Sequence, residues 1–224
     1  MFTNNLSRTA SITLLGMFAA IIAVLASTFL GFIPVPALGS ATTLHIPVIV
    51  ASLLLGPKYG AAVGFMFGVA SVIRTTFVPV LSSFVFSPFI PVYGTDRGSM
   101  LSLVVAFVPR IMLGIVPWFL YRGLRILWTD RFMIVNLVIT AVISTVMHTY
   151  MVMHLWYYLF RQPWADARGQ LVVEMYAVVL GIIGTVGIAE AIVAGILVPA
   201  ICLTLFVVLR HSNSFSVRTS GVDK

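Results

Sequence analysis

Arg110 stands near the middle of the apolar run LSLVVAFVPRIMLGIVPWFL, and Glu190 stands in the equally apolar IAEAIVAGILVPAI. An unpaired charge in hydrocarbon costs several kcal/mol, so each needs a counter-charge or a wet chamber. Arg74, near the end of a third apolar run, supplies a second cation. Two guanidiniums facing one carboxylate leave a positive excess, which suits an anionic guest. A planar guanidinium takes a carboxylate in bidentate geometry. The bland alternative is an Arg110–Glu190 bridge that only orders the protein interior.

His148 is the next candidate, because a neutral imidazole both donates and accepts and can serve hydroxyl and amide groups. The competing reading is a helix–helix hydrogen bond. His148 ends a polar stripe, Asn136, Thr140, Ser144 and His148, at four-residue steps. In lipid such a stripe must face protein or water. Trp156, Tyr157 and Trp164 suit either a gate or interfacial anchors. His45 reads as an N-terminal helix residue, with Thr43 as a possible cap.

What is missing narrows the chemistry. There is no G-x-x-x-x-G-K-[ST], so ATP is not bound through a P-loop, and no H-E-x-x-H. The four histidines, His45, His148, His154 and His211, are too dispersed to read as a metal set. An intramembrane protease would need a Ser/His or paired-carboxylate arrangement, and aspartate is missing from the apolar segments; Cys202 is the only cysteine, which leaves no internal disulfide. Neither an enzyme nor a cofactor is expected.

The elements that must hold these side chains are membrane helices. Of the 224 residues 60% are hydrophobic and 8% charged, with mean hydropathy +1.11. Such apolar runs exceed core helices of a soluble domain. The net charge of +7 resides on cations scattered at the ends of apolar segments, which fits orientation on an anionic bilayer better than nucleic-acid binding. The expected architecture is all-α: one membrane domain over 1–224 with helices at about 12–33, 44–55, 59–77, 100–128, 132–160 and 171–209, and a polar tail at 211–224. The first run is too long for a signal-peptide core and is read as a retained helix. No internal repeat is visible, which argues against inverted-repeat transporters.

Within this plan the second helix, at about 18 Å, is too short to cross alone. Gly56-Pro57 is read as a turn between it and the third helix; the rival is one long helix kinked at Pro57. Gly60, Gly64 and Gly68 form a ridge expected to let helices one, two and three pack tightly. The segment 32–43 is read as a loop, and 78–99 as a lid over the protein or an interfacial aromatic belt, with Phe84, Phe86, Phe89 and Tyr93. Residues 161–170 are read as a further loop. Gly184, Gly187, Ala191 and Gly195 are expected to form the close-packing face of the last helix. On the first helix, Gly16, Ala19, Ala20, Ala23, Ala26 and Ser27 fall within an arc of roughly 120°, a nearly bare face another helix can approach. A cytoplasmic N-terminus with six spans places Arg8, Lys58, Arg122, Arg125, Arg131, Arg210, Arg218 and Lys224 inside, and leaves Arg74, Arg97, Arg110, Arg161 and Arg168 outside or in the membrane.

The x-I-P entry at His45-Ile46-Pro47, the Gly56-Pro57 turn, the glycine-lined third helix, FVPRIMLG (107–114) and IAEAIVAGILVPAI (188–201) together resemble the S components of energy-coupling-factor (ECF) vitamin transporters. Nearly the whole chain is covered. Among substrate classes the chain looks most like the pantothenate-specific members, and pantothenate carries one carboxylate. The resemblance implies a six-helix substrate-capture subunit in a bacterial cell membrane, both termini cytoplasmic. It implies that Arg110, His148, Glu190, His45, Thr43, Arg74 and Trp156 line the site. It also implies that Ala19 and Ala23 dock on a transmembrane coupling subunit (EcfT) driven by two ATPase subunits, and that the S component reorients to release its cargo inward. Family members often carry asparagine at the positions of His148 and Val186, and both departures bear on the substrate. The alternatives are a neutral precursor such as hydroxymethylpyrimidine and, outside the family, a small membrane enzyme or assembly factor.

Overall fold

The computed structural model describes residues 7–35, 39–127 and 132–219, side chains at 34–35, 39–40 and from 209 onward excepted. Arg131 of the expected inside set and residues 220–224 of the expected polar tail lie outside the described residues. Among the described residues seven α-helices follow in chain order: α1 Arg8–Ser27, α2 His45–Leu55, α3 Pro57–Phe77, α4 Leu101–Leu127, α5 Met133–Arg168, α6 Val172–Ile182 and α7 Ile188–Thr219. A π-helical turn, Ile183–Gly187, joins α6 to α7. Among the described residues five stretches, α1, α3, α4, α5 and the α6–α7 unit from Val172 to Val208, are long and apolar enough to cross a membrane.

α2 occupies the centre. All 11 of its residues are buried, which suits a helix that is apolar on every side. It packs on α1, α3, α4 and α7. Gly56 ends it at φ 92°, a left-handed value open to glycine at little cost, and Pro57 begins α3 where no amide is needed. A Cβ on Gly60 would lie 2.8 Å from the Cα of Ser52, so α3 folds straight back along α2. The turn is therefore real, and the rival kinked helix is not formed.

The glycine ridge has a different main partner from the one expected. A Cβ on Gly60 would strike the carbonyl oxygen of Gly114, one on Gly64 the carbonyl oxygen of Arg110, and one on Gly68 would come within 2.6 Å of the Phe107 ring. As α3 is followed upward in number, α4 is followed downward, so the two are antiparallel and in backbone contact. Small residues on both sides make that approach possible, since Gly114 answers Gly60. Gly60 also meets α2, at Ser52. The ridge thus holds α4, and with it Arg110, at a fixed distance from α3.

Three other expectations change. Residues 32–43 are not a plain loop: β1 Phe32–Val35 and β2 Gly39–Thr42 pair antiparallel, with Phe32 opposite Thr42. Residues 161–168 are helical, because α5 continues beyond a kink at Phe160 (φ −131°, ψ 16°), where Pro163 cannot supply an amide to the preceding turn. It stops at Gly169, which takes the left-handed conformation (φ 63°) and closes on Ala165 and Asp166. The final segment is broken in register by the π turn. Gly187 and Gly195 face α5 at Thr149 and Val142, but Gly184 meets nothing and is exposed. The fifth residue in a π turn rotates the following helix away from a uniform 3.6-residue face.

The loop from 78 to 99 is divided. Phe84 and Val85 in a short 3-10 turn are buried, and Ser102 donates to the Phe84 carbonyl at 2.6 Å, binding the loop to α4. Phe89 and Tyr93 are exposed. The inner half therefore lies back over the helices as a roof.

Candidate substrate chamber

Beneath this roof is a chamber of about 120 Å³ bounded by α3, α4, α5, the α6–α7 unit and the hairpin. Arg110 reaches it from α4 and is buried. Its placement follows from its neighbour. Pro109 has no amide hydrogen, so the carbonyl of Val105, four residues earlier, loses its helical donor. The Arg110 Nη1 donates to that same carbonyl, which holds the guanidinium against its own helix. The Phe67 and Phe86 rings flank it at 5.4 and 5.2 Å, within the range of cation–π attraction. Nε has no partner among the described residues.

Glu190 lines the chamber from α7, at the first turn after the π bulge. Its carboxylate accepts from the backbone N–H of Thr42 at 2.6 Å and from the Thr149 hydroxyl at 3.2 Å. The first bond ties the hairpin to α7, so Glu190 also closes one wall. Among the described residues no ion pair joins it to Arg110, though its field reaches the guanidinium. The charges share the chamber without bonding.

Several further polar groups are open-handed. Both ring nitrogens of His148, Nε1 of Trp156 and the Ser71 hydroxyl are buried and have no partner among the described residues. All belong to residues that line the chamber. Native interiors rarely leave such groups unpaired, because each costs about 1–3 kcal/mol. Trp156 is held by Trp164 at 4.3 Å and Phe86 at 5.6 Å between ring centroids, so its N–H cannot swing away freely. The cluster offers a cation, an anion, an imidazole and two further donors to one small space.

Arg110, His148, Glu190 and Trp156 are brought together; three other candidates are not at the chamber wall. Thr43 turns its hydroxyl to the Leu30 carbonyl at 2.7 Å, and its neighbour Thr42 is the lining residue. His45 is buried at the start of α2, outside the lining set, with neither ring nitrogen hydrogen-bonded among the described residues. Arg74 lies elsewhere, in a groove between α1 and α3. The excess positive charge counted from two arginines is thus absent, and Arg110 and Glu190 balance. Sequence reasoning missed Thr42, Ser71, Phe86 and Thr149 as lining residues. Small hydroxyl residues are ordinary in membrane helices, and only the position of Thr149 beside His148 was a signal.

The polar stripe of α5 turns inward, as lipid demands: Asn136, Thr140, Ser144 and His148 are all buried. Ala23 and Gly16 on α1 are exposed, and Ala19 is half-buried.

The family model for "ECF transporter, substrate-specific component" matches residues 10–202. The chain is also 41% identical over 120 residues to the "Pantothenic acid transporter PanT" of Lactococcus lactis subsp. cremoris (strain MG1363). That match takes in 52% of this chain and 60% of the relative's length.

Proposed function

The chain belongs to the family of ECF transporter substrate-specific components, and from that premise we propose that its chamber captures pantothenate from outside the cell. The observation that carries this reading is the Arg110 guanidinium, buried in the chamber, unbonded to Glu190 and with Nε still to satisfy. Glu190 is supplied by Thr42 and Thr149 and makes no demand on Arg110. A guest carboxylate on Arg110 then leaves His148, Trp156 and Ser71 for the hydroxyl and amide groups of the same molecule. The name of the Lactococcus relative supports the choice of vitamin.

The volume of about 120 Å³ is below the ~300–1,000 Å³ of typical small-molecule sites. Entry therefore requires the roof to lift at Phe86 and at the hairpin that Glu190 tethers. Six crossings with both termini cytoplasmic, α2 serving as a short central span, agree with the charge distribution. Delivery inward is by reorientation on a transmembrane coupling subunit powered by two ATPases. The docking face is that of Ala19 and Ala23 on α1, where side chains are too small to hold a partner helix away.

A second reading, a neutral guest such as hydroxymethylpyrimidine, is favoured by the balance of Arg110 and Glu190 now that Arg74 lies elsewhere. Mass spectrometry of the small molecule that co-purifies with the protein in detergent decides between them. Pantothenate is expected; a pyrimidine or another uncharged compound, with no pantothenate displacing it, refutes the first reading.

A further inference from the structure

The groove between α1 and α3 is a separate feature, about 680 Å³ in volume, and it lies between two helices long and apolar enough to cross a membrane. We propose that it binds one anionic glycerophospholipid, with an acyl chain along its walls and the phosphodiester on Arg74. Ala23 and Ala26 of α1 and Met66, Val69 and Ile73 of α3 supply apolar walls. From Met66 to Phe77 the wall is about 16 Å at 1.5 Å per residue, close to half of a ~30 Å hydrocarbon core. The groove therefore has the depth of a single leaflet.

Its polar end is equally suited. Arg74 lies in the last turn of α3 and is half-buried at the rim, at the end where α1 also finishes with Ser27. Among the described residues none pairs with it or accepts a hydrogen bond from it. A guanidinium at the edge of an apolar groove is costly until an anion completes it, and phosphate takes charge-assisted hydrogen bonds from arginine. A zwitterionic headgroup would bring its own cation beside Arg74, so a net negative lipid is preferred. Ala19 and Ala23 belong both to this groove and to the proposed docking face, and on that reading the lipid leaves when the coupling subunit arrives. Lipid retention by the isolated subunit does not depend on that reading.

The test gives purified full-length protein in detergent equal amounts of dioleoyl phosphatidylglycerol and dioleoyl phosphatidylcholine and counts retained lipid by native mass spectrometry. One phosphatidylglycerol is expected, with preference over phosphatidylcholine falling about fivefold in Arg74→Gln and returning in Arg74→Lys. Val69→Trp fills the groove from an exposed position and should lose the bound lipid while leaving Arg74 intact. Equal retention of both lipids by the wild type overturns the proposal. So does a preference that survives in Arg74→Gln or Val69→Trp.

Discussion

Replacing Arg110 by methionine tests the central claim, and a ligand without a carboxylate separates its effect on binding from any effect on folding. Methionine keeps the unbranched stem between Phe67 and Phe86 and removes only the cation and its donors. In the free protein the change gives up one hydrogen bond to Val105 and two cation–π contacts. Glu190 is left in the chamber without its balancing cation, so the melting temperature of the free protein is expected to fall, and it is measured beside binding. The bound state loses far more. Removing one partner of a desolvated charge pair costs about 2–5 kcal/mol, or roughly 30- to 4,000-fold in Kd at 1.4 kcal/mol per decade. Isothermal titration of the detergent-purified protein with pantothenate measures this. Pantothenol, in which the carboxylate is a neutral alcohol, completes the cycle. It should bind the wild type weakly and be nearly indifferent to Arg110→Met, because the charge pair is already missing. If both ligands weaken by the same factor, Arg110 shapes the chamber without reading the carboxylate. Unchanged pantothenate binding would refute the reasoning altogether.

Trp156→Phe removes only the unpartnered indole N–H. A neutral hydrogen bond is worth about 0.5–1.5 kcal/mol, so Kd should rise about 2- to 13-fold in the same titration. Glu190→Ala frees the Thr42 amide and the hairpin, and amide hydrogen exchange at Thr42 should accelerate while α3 and α4 stay protected. Gly64→Val drives a side chain into the carbonyl oxygen of Arg110, a backbone atom that cannot yield, so the thermal-unfolding midpoint should fall sharply, by the 1–3 kcal/mol or more typical of overpacking. Ala23→Trp is exposed and should leave folding and vitamin binding intact while preventing co-purification with the coupling subunit; recovery of an intact complex removes α1 as the docking face.

Much of the candidate site was visible as anomaly. Arg110 and Glu190 stand out because hydrocarbon penalises charge, and His148 because four-residue spacing gathers polar groups on one face of α5. Ser71, Thr42, Thr149 and Phe86 were hidden because hydroxyls and aromatics are common in such segments. Nothing local distinguishes one that faces a chamber. The hairpin was hidden too, since the paired strands Phe32–Val35 and Gly39–Thr42 are short and Thr42 is anchored by Glu190, 148 residues away. The extension of α5 past Phe160 was hidden by Pro163, which reads as a helix stop and acts as a kink.

By itself the sequence determined what depends on the solvent: apolar runs long enough to cross a bilayer, a turn at Gly56-Pro57, and glycines where helices must touch. Each is a local response of the backbone to hydrocarbon, and linear order carries it. Only the tertiary structure decided which faces meet. It set the glycine ridge against α4, put Glu190 and not Arg74 in the chamber with Arg110, and rotated Gly184 outward through the π turn. Those outcomes follow from helix crossings and register, which combine residues far apart in the chain. A shift of one residue turns a helical side chain by about 100° and sends it from the chamber to the lipid.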